Sequence, residues 1–178
     1  MRLVIQAGLY FLLGYVLLIL HSTIFGLLTV HPAIPNLLLP LVVFLGVSAA
    51  ITVPVGASVA FMLGYLLDSM SGMPMGLYTF TLVTTYVLSK GAGLRLFLRG
   101  PLSEILLTFL VSILAGCLQL AMGAIFENPA PFPAKGALAF LYLLVASATT
   151  AVLSPVVFWL ARAVARWRGY GTESRSAS

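Results

Sequence analysis

The sequence predicts an all-α integral membrane protein, a compact bundle of about six transmembrane helices. Three observations lead there. The 178 residues are 61% hydrophobic and only 7% charged, whereas soluble domains carry roughly 25% charged residues. So few charges cannot cover a water-facing surface, and lipid must be the main solvent. The apolar residues gather into long runs punctuated by Pro and Gly, with a mean hydropathy of +1.13. Finally, the nine Lys and Arg residues gather at the ends of those runs and in the segments that join or follow them.

A helical span needs about 20 apolar residues, fewer where the helix is short or broken. Six stretches qualify, near residues 3–28, 37–52, 54–70, 75–89, 102–126 and 136–165. The first, RLVIQAGLYFLLGYVLLIL, is too long for the apolar core of a signal peptide, and no small-x-small cleavage site follows. It reads as a retained span. The second opens at Pro35-Asn36, where Asn36 suits a helix N-cap and Pro35 fixes the approach of the chain. Pro54 and Pro101 stand where helices begin, a position that tolerates a missing N–H. Glu104 falls in the first turn of the fifth span, where the helix dipole favours a negative charge. Pro155 lies inside the sixth span and should kink it, with the Ser154 hydroxyl available to the freed backbone. Residues 1–168 thus form a single polytopic domain, and the Gly- and Ser-rich residues 169–178 read as a disordered tail.

Orientation follows from Lys and Arg in short loops. With six spans, Arg2, Lys90, Arg95, Arg99, Arg162, Arg166 and Arg168 all fall on one side. Lys135 is the basic loop residue of the other. Both termini are therefore expected in the cytoplasm. The stretch KGAGLRLFLRG places Arg95 and Arg99 four residues apart, on one face of a short helix that could lie on the anionic leaflet. A plain topology-setting loop with no partner is the preferred reading. The opposite loop, ENPAPFPAK, has three prolines within residues 129–133 and should be extended and stiff.

The stretch GYLLDSMSGMPMG holds the single acidic residue of the first hundred, Asp68. An aspartate at mid-bilayer costs about 2.5–3.5 kcal/mol on insertion scales. Near a helix C-terminus it also meets partial negative charge. Something must compensate. Lys135 and His31 are the cationic candidates on that side of the membrane. The preferred partners are free N–H groups of the segment Ser69 to Gly76, which Gly72, Pro74 and Gly76 suit to a tight turn, and of the first turn of the fourth span. Partner binding and a proton or ion relay are the alternatives. Gly56, Ala60, Gly64 and Asp68 recur every four residues, so they form one slanting stripe. Small residues at that spacing let another helix approach closely. That helix belongs either to the same bundle or to another protein.

Other residues carry little chemistry. His21 reads as a hydrogen-bonded interior histidine. Cys117 is the lone cysteine, so no internal disulfide can form. No Ser-His-acid grouping, HExxH, paired intramembrane aspartates or phosphate-cradling loop is present. The composition therefore points away from an enzyme, and no cofactor, metal or nucleic-acid partner is expected.

At these residues the chain resembles a known family. The small six-span layout, Pro35-Asn36 and above all the Gly64, Asp68, Gly72, Gly76 pattern look like the rod shape-determining protein MreD family of bacteria. The resemblance runs from the first span to about Arg168. It implies a non-enzymatic inner-membrane adaptor of the machinery that builds lateral cell wall. It also implies association with MreC and, through it, with the MreB filament, RodA and a class B penicillin-binding transpeptidase. The Gly56–Asp68 stripe would then be a docking face for a single-span partner. A rival reading rests on similar size and layout. In it the chain is a substrate-capturing subunit of an energy-coupling-factor vitamin transporter, with its site at the short third and fourth spans. The few intramembrane polar groups (Asp68, Asn36, His21 and Gln119 among them) tell against it.

Overall fold

A computed structural model describes residues 2–27, 36–71, 75–95, 101–126 and 137–173. They form six helices: α1 Arg2–Leu27, α2 Leu38–Val47, α3 Val53–Ser71, α4 Leu77–Arg95, α5 Pro101–Phe126 and α6 Ala137–Glu173. Four segments are long and apolar enough to cross a membrane: Leu3–Thr23, Val53–Ser71, Leu102–Gly123 and Phe140–Arg166.

The bundle has an apolar centre around α2, with Leu38, Leu41, Val42, Leu45, Leu63 and Phe158 buried, and hydroxyl residues are buried beside it. Thr81, Thr85, Ser89, Thr108, Ser112, Ser147, Thr150 and Ser154 are buried. Large apolar side chains such as Leu12, Val16, Phe61, Leu110 and Val152 are exposed. Hydrocarbon does not penalise an exposed leucine, so large apolar side chains also cover the outside, while small and hydroxyl-bearing residues help line the helix seams. The same effect explains α4. Its 19 residues make it as long as α3, but its Thr and Ser residues lower its hydropathy while Phe80, Val87 and Leu88 face outward.

The sequence-based expectation of a second full span is corrected. α2 has ten residues, about 15 Å of helix, half the thickness of a bilayer core. Its residues 38–46 are all buried, and it touches every other helix. α2 is therefore a half-length helix at the centre of the bundle, followed by a turn at Ser48–Thr52 that leads into α3. Asn36 serves its N-terminus as expected. Leu37 already has helical dihedrals, and the Leu38 N–H donates to Asn36 Oδ1 at 3.1 Å. The Asn36 N–H in turn donates to Thr150 Oγ1 on α6 at 3.0 Å. Thr150 lies ten residues inside the apolar segment of α6, about 15 Å along it, so the head of α2 sits at interior depth.

α6 runs through Pro155 without interruption. Proline at 155 cannot donate to the Ala151 carbonyl, and Ser154 Oγ donates to that oxygen at 2.7 Å. α6 also continues to Glu173, so the expected break after Arg168 is not where the helix ends. Likewise α4 extends through Arg95. The first six residues of KGAGLRLFLRG therefore continue a bundle helix and do not begin a separate surface one. Pro35, Gly72, Arg99, His31, Lys135, the ENPAPFPAK loop and residues 174–178 lie outside the described residues. Arg95 and Arg168 are placed on their helices, but their side chains lie outside the described set as well.

Candidate functional site

α3 and α4 are antiparallel neighbours, and their seam is built from the small-residue stripe. Gly56, Ala60, Gly64 and Asp68 are all buried. A Cβ on Gly64 would stand 2.5 Å from Thr79 Cα, a backbone atom that cannot swing aside. A Cβ on Gly56 would enter the Tyr86 ring, whose hydroxyl donates to the Val53 carbonyl at 3.2 Å. The stripe is filled along its length by α4 of the same chain. Of the two readings of the stripe, packing within the bundle is the one found here: the close approach that glycine permits is used by α4 of the same chain, and the alternative of an open docking face is not found.

Asp68 closes this seam. Its side chain reaches the first turn of α4. The Tyr78 N–H donates to Oδ1 at 2.8 Å, and the Thr79 N–H donates to Oδ2 at 3.0 Å. The Thr79 hydroxyl also donates to Oδ2, at 2.5 Å. The first N–H groups of any helix lack intrahelical partners, and a side chain at the N-cap usually takes them. Here the cap position is Gly76, whose carbonyl accepts from Phe80 N–H at 2.8 Å. Gly76 has φ +102°, a conformation that residues with a Cβ rarely adopt. A glycine can make that turn but has no side chain to cap with. Asp68 supplies the missing acceptor from the neighbouring helix, and the positive end of the α4 dipole offsets its charge. The compensation expected for Asp68 is found in the first turn of α4, with both carboxylate oxygens engaged.

The opposite end of the bundle holds the described basic side chains. Lys90 was expected at the membrane surface. Instead its Nζ turns inward, donating to the carbonyls of Ser48 at 3.1 Å and Ile51 at 3.2 Å. These oxygens belong to the turn that ends α2, where a lysine satisfies exposed carbonyls and opposes the negative dipole end. Arg162 of α6 forms an ion pair with Glu104 of α5 and lies 5.9 Å from the centre of the Phe158 ring. Arg166 follows one turn later, exposed. Sequence reasoning placed Lys90, Arg162 and Arg166 at one end but missed the first two contacts. The signal for Glu104–Arg162 was present: Glu104 stands in the first turn of an apolar helix at the arginine-rich end, and a carboxylate beside a membrane span needs a cation. No signal marked the Lys90 contacts, because they depend on α2 ending early.

Among the described residues, no three His, Cys, Asp or Glu side chains come together to hold a metal. What the arrangement does chemically is fasten helices: α3 to α4 through Asp68, the α2 turn to α4 through Lys90, and α5 to α6 through Glu104 and Arg162. Compared with protein-family models, with characterised proteins and with solved structures, the chain matches none.

Proposed function

We propose that the chain is a non-enzymatic adaptor in the inner membrane of a bacterium, of the MreD type, that binds MreC and helps organise lateral wall synthesis. In this reading both termini are cytoplasmic, and the arginine-rich end of the bundle faces the anionic inner leaflet. The observation that carries the reading is the use made of Asp68. The most distinctive motif of the chain, GYLLDSMSGMPMG, is spent on locking two helices together, with three donors on one carboxylate. A proton relay needs its acid free to exchange, and a substrate site needs polar groups aimed at a cavity. A locked helix pair suits a rigid scaffold better than either. The partner would meet a lipid-facing surface, because the Gly56–Asp68 seam is occupied from within.

Depletion in the bacterial host tests the reading. Rod-shaped cells that lose the protein are expected to widen and round over a few generations while membrane integrity is retained. Cells that stay rod-shaped but lose uptake of a vitamin would contradict the adaptor and favour a transporter subunit.

A further inference from the structure

The arginine-rich end of the bundle contains a groove of about 570 Å³, walled by Phe44 and Phe158, with Glu104, Trp159, Arg162 and Arg166 also along it. We propose that this groove binds one anionic phospholipid, with its phosphate at Arg162 and Arg166 and an acyl chain along α6. The inference rests on insertion in a bilayer and does not depend on the adaptor reading.

The charge is complementary to a phosphate. Two guanidinium groups face one carboxylate. Glu104 accepts from a single nitrogen of Arg162, Nη2. A guanidinium has five N–H donors in a fork that fits phosphate oxygens, so Arg162 keeps donors to spare, and its side chain is 51% exposed. Arg166 is one turn further along the same face, exposed and without a partner among the described residues. α5 begins beside the groove, with Glu104 in its first turn, and its positive dipole end adds to the attraction.

The apolar part of a lipid also has a place. Val152, Val156 and Trp159 are exposed by 71%, 55% and 60%. Their spacing puts them on one face of α6, leading away from the groove. Val152 and Arg162 are ten residues apart, about 15 Å of helix, which matches one leaflet of a hydrocarbon core roughly 30 Å thick. A headgroup at Arg162 and Arg166 therefore leaves its chain the length of helix it needs. A free phosphate would have no use for that stripe.

Trp159 reports on the groove directly. The chain has two tryptophans, Trp159 and Trp167, so Trp167→Phe leaves a single fluorophore. This protein is reconstituted in phosphatidylcholine bilayers that contain a minor share of phosphatidylglycerol brominated on its acyl chains, or brominated phosphatidylcholine at the same share. The brominated phosphatidylglycerol is expected to quench Trp159 at roughly fivefold lower mole fraction. Arg166→Gln should bring the two lipids close to parity, and Arg166→Lys should keep most of the preference. Arg166 is exposed and holds no described contact, so the fold should survive both changes, which unchanged elution on size exclusion verifies. Equal quenching by the two lipids, or a preference indifferent to Arg166→Gln, would overturn the proposal. So would relief of quenching by millimolar inorganic phosphate, which would assign the groove to a soluble phosphate ligand.

Discussion

Asp68→Ala is expected to lower the stability of the detergent-solubilised protein by about 2–4 kcal/mol. The variant removes the acceptor of three hydrogen bonds and leaves the Tyr78 and Thr79 amides at a helix head with nothing to replace it. Hydrogen bonds to charged groups contribute about 1.5–3 kcal/mol in water-soluble proteins. Side-chain bonds between membrane helices average nearer 0.6 kcal/mol. The sum of three falls between those scales. Asp68→Asn should recover part of the loss, because its amide oxygen can still accept from one backbone N–H. Its NH2 group then faces a second donor, so one contact stays broken. Thermal unfolding followed by size exclusion gives the order wild type, Asn, Ala. A Thr79→Val change should be clearly destabilising when Asp68 is intact and nearly silent once Asp68→Ala has removed its partner, so the pair is strongly non-additive. Equal melting of Asp68→Ala and wild type would mean that the carboxylate does not fasten α3 to α4.

Gly64→Leu should be at least as damaging. The first carbon of the new side chain would lie 2.5 Å from Thr79 Cα, and three more heavy atoms must follow it into a seam with no room. Overpacking of this kind typically costs about 1–3 kcal/mol, and more where the obstacle is backbone. Separating α3 from α4 here also pulls Thr79 away from Asp68, so the two variants should combine to less than their sum. Gly8→Leu is the matched control. Gly8 has nothing within 4 Å of a built Cβ and should melt within about 0.5 kcal/mol of wild type. The outcome also separates two roles for the stripe. A Gly64→Leu protein that melts like wild type but fails to bind a partner would place a docking face where the structure has an internal seam.

Helix positions were largely legible in the sequence because prolines, glycines and apolar runs mark them locally. α3, α5 and the start of α6 follow from Pro54, Pro101 and the hydropathy alone. What was not legible depends on contacts between distant segments. α2 reads as a full span because Leu38 to Ile51 is almost uniformly apolar. That it stops at Val47 follows from the turn at Ser48, whose carbonyl is held by Lys90, forty-two residues away. The stripe from Gly56 to Gly64 was readable as a close-packing face, but the spacing carries no information about whose helix fills it. Asp68 was the most legible residue of the candidate site. An acid at a helix end beside glycines calls for N–H donors, and a glycine cap on the next helix leaves those donors free. The groove at Arg162 and Arg166 was not legible, since its walls come from α2, α5 and α6.

Co-purification tests most directly the proposal that this chain serves as an adaptor for MreC. The protein is tagged at its native locus in the bacterial host, extracted in mild detergent and captured, and its companions are identified by mass spectrometry. The account predicts MreC in near-equal amount, with RodA and a class B penicillin-binding transpeptidase in lower yield. Capture of an ATPase pair with an energy-coupling membrane subunit, and no MreC, would contradict it.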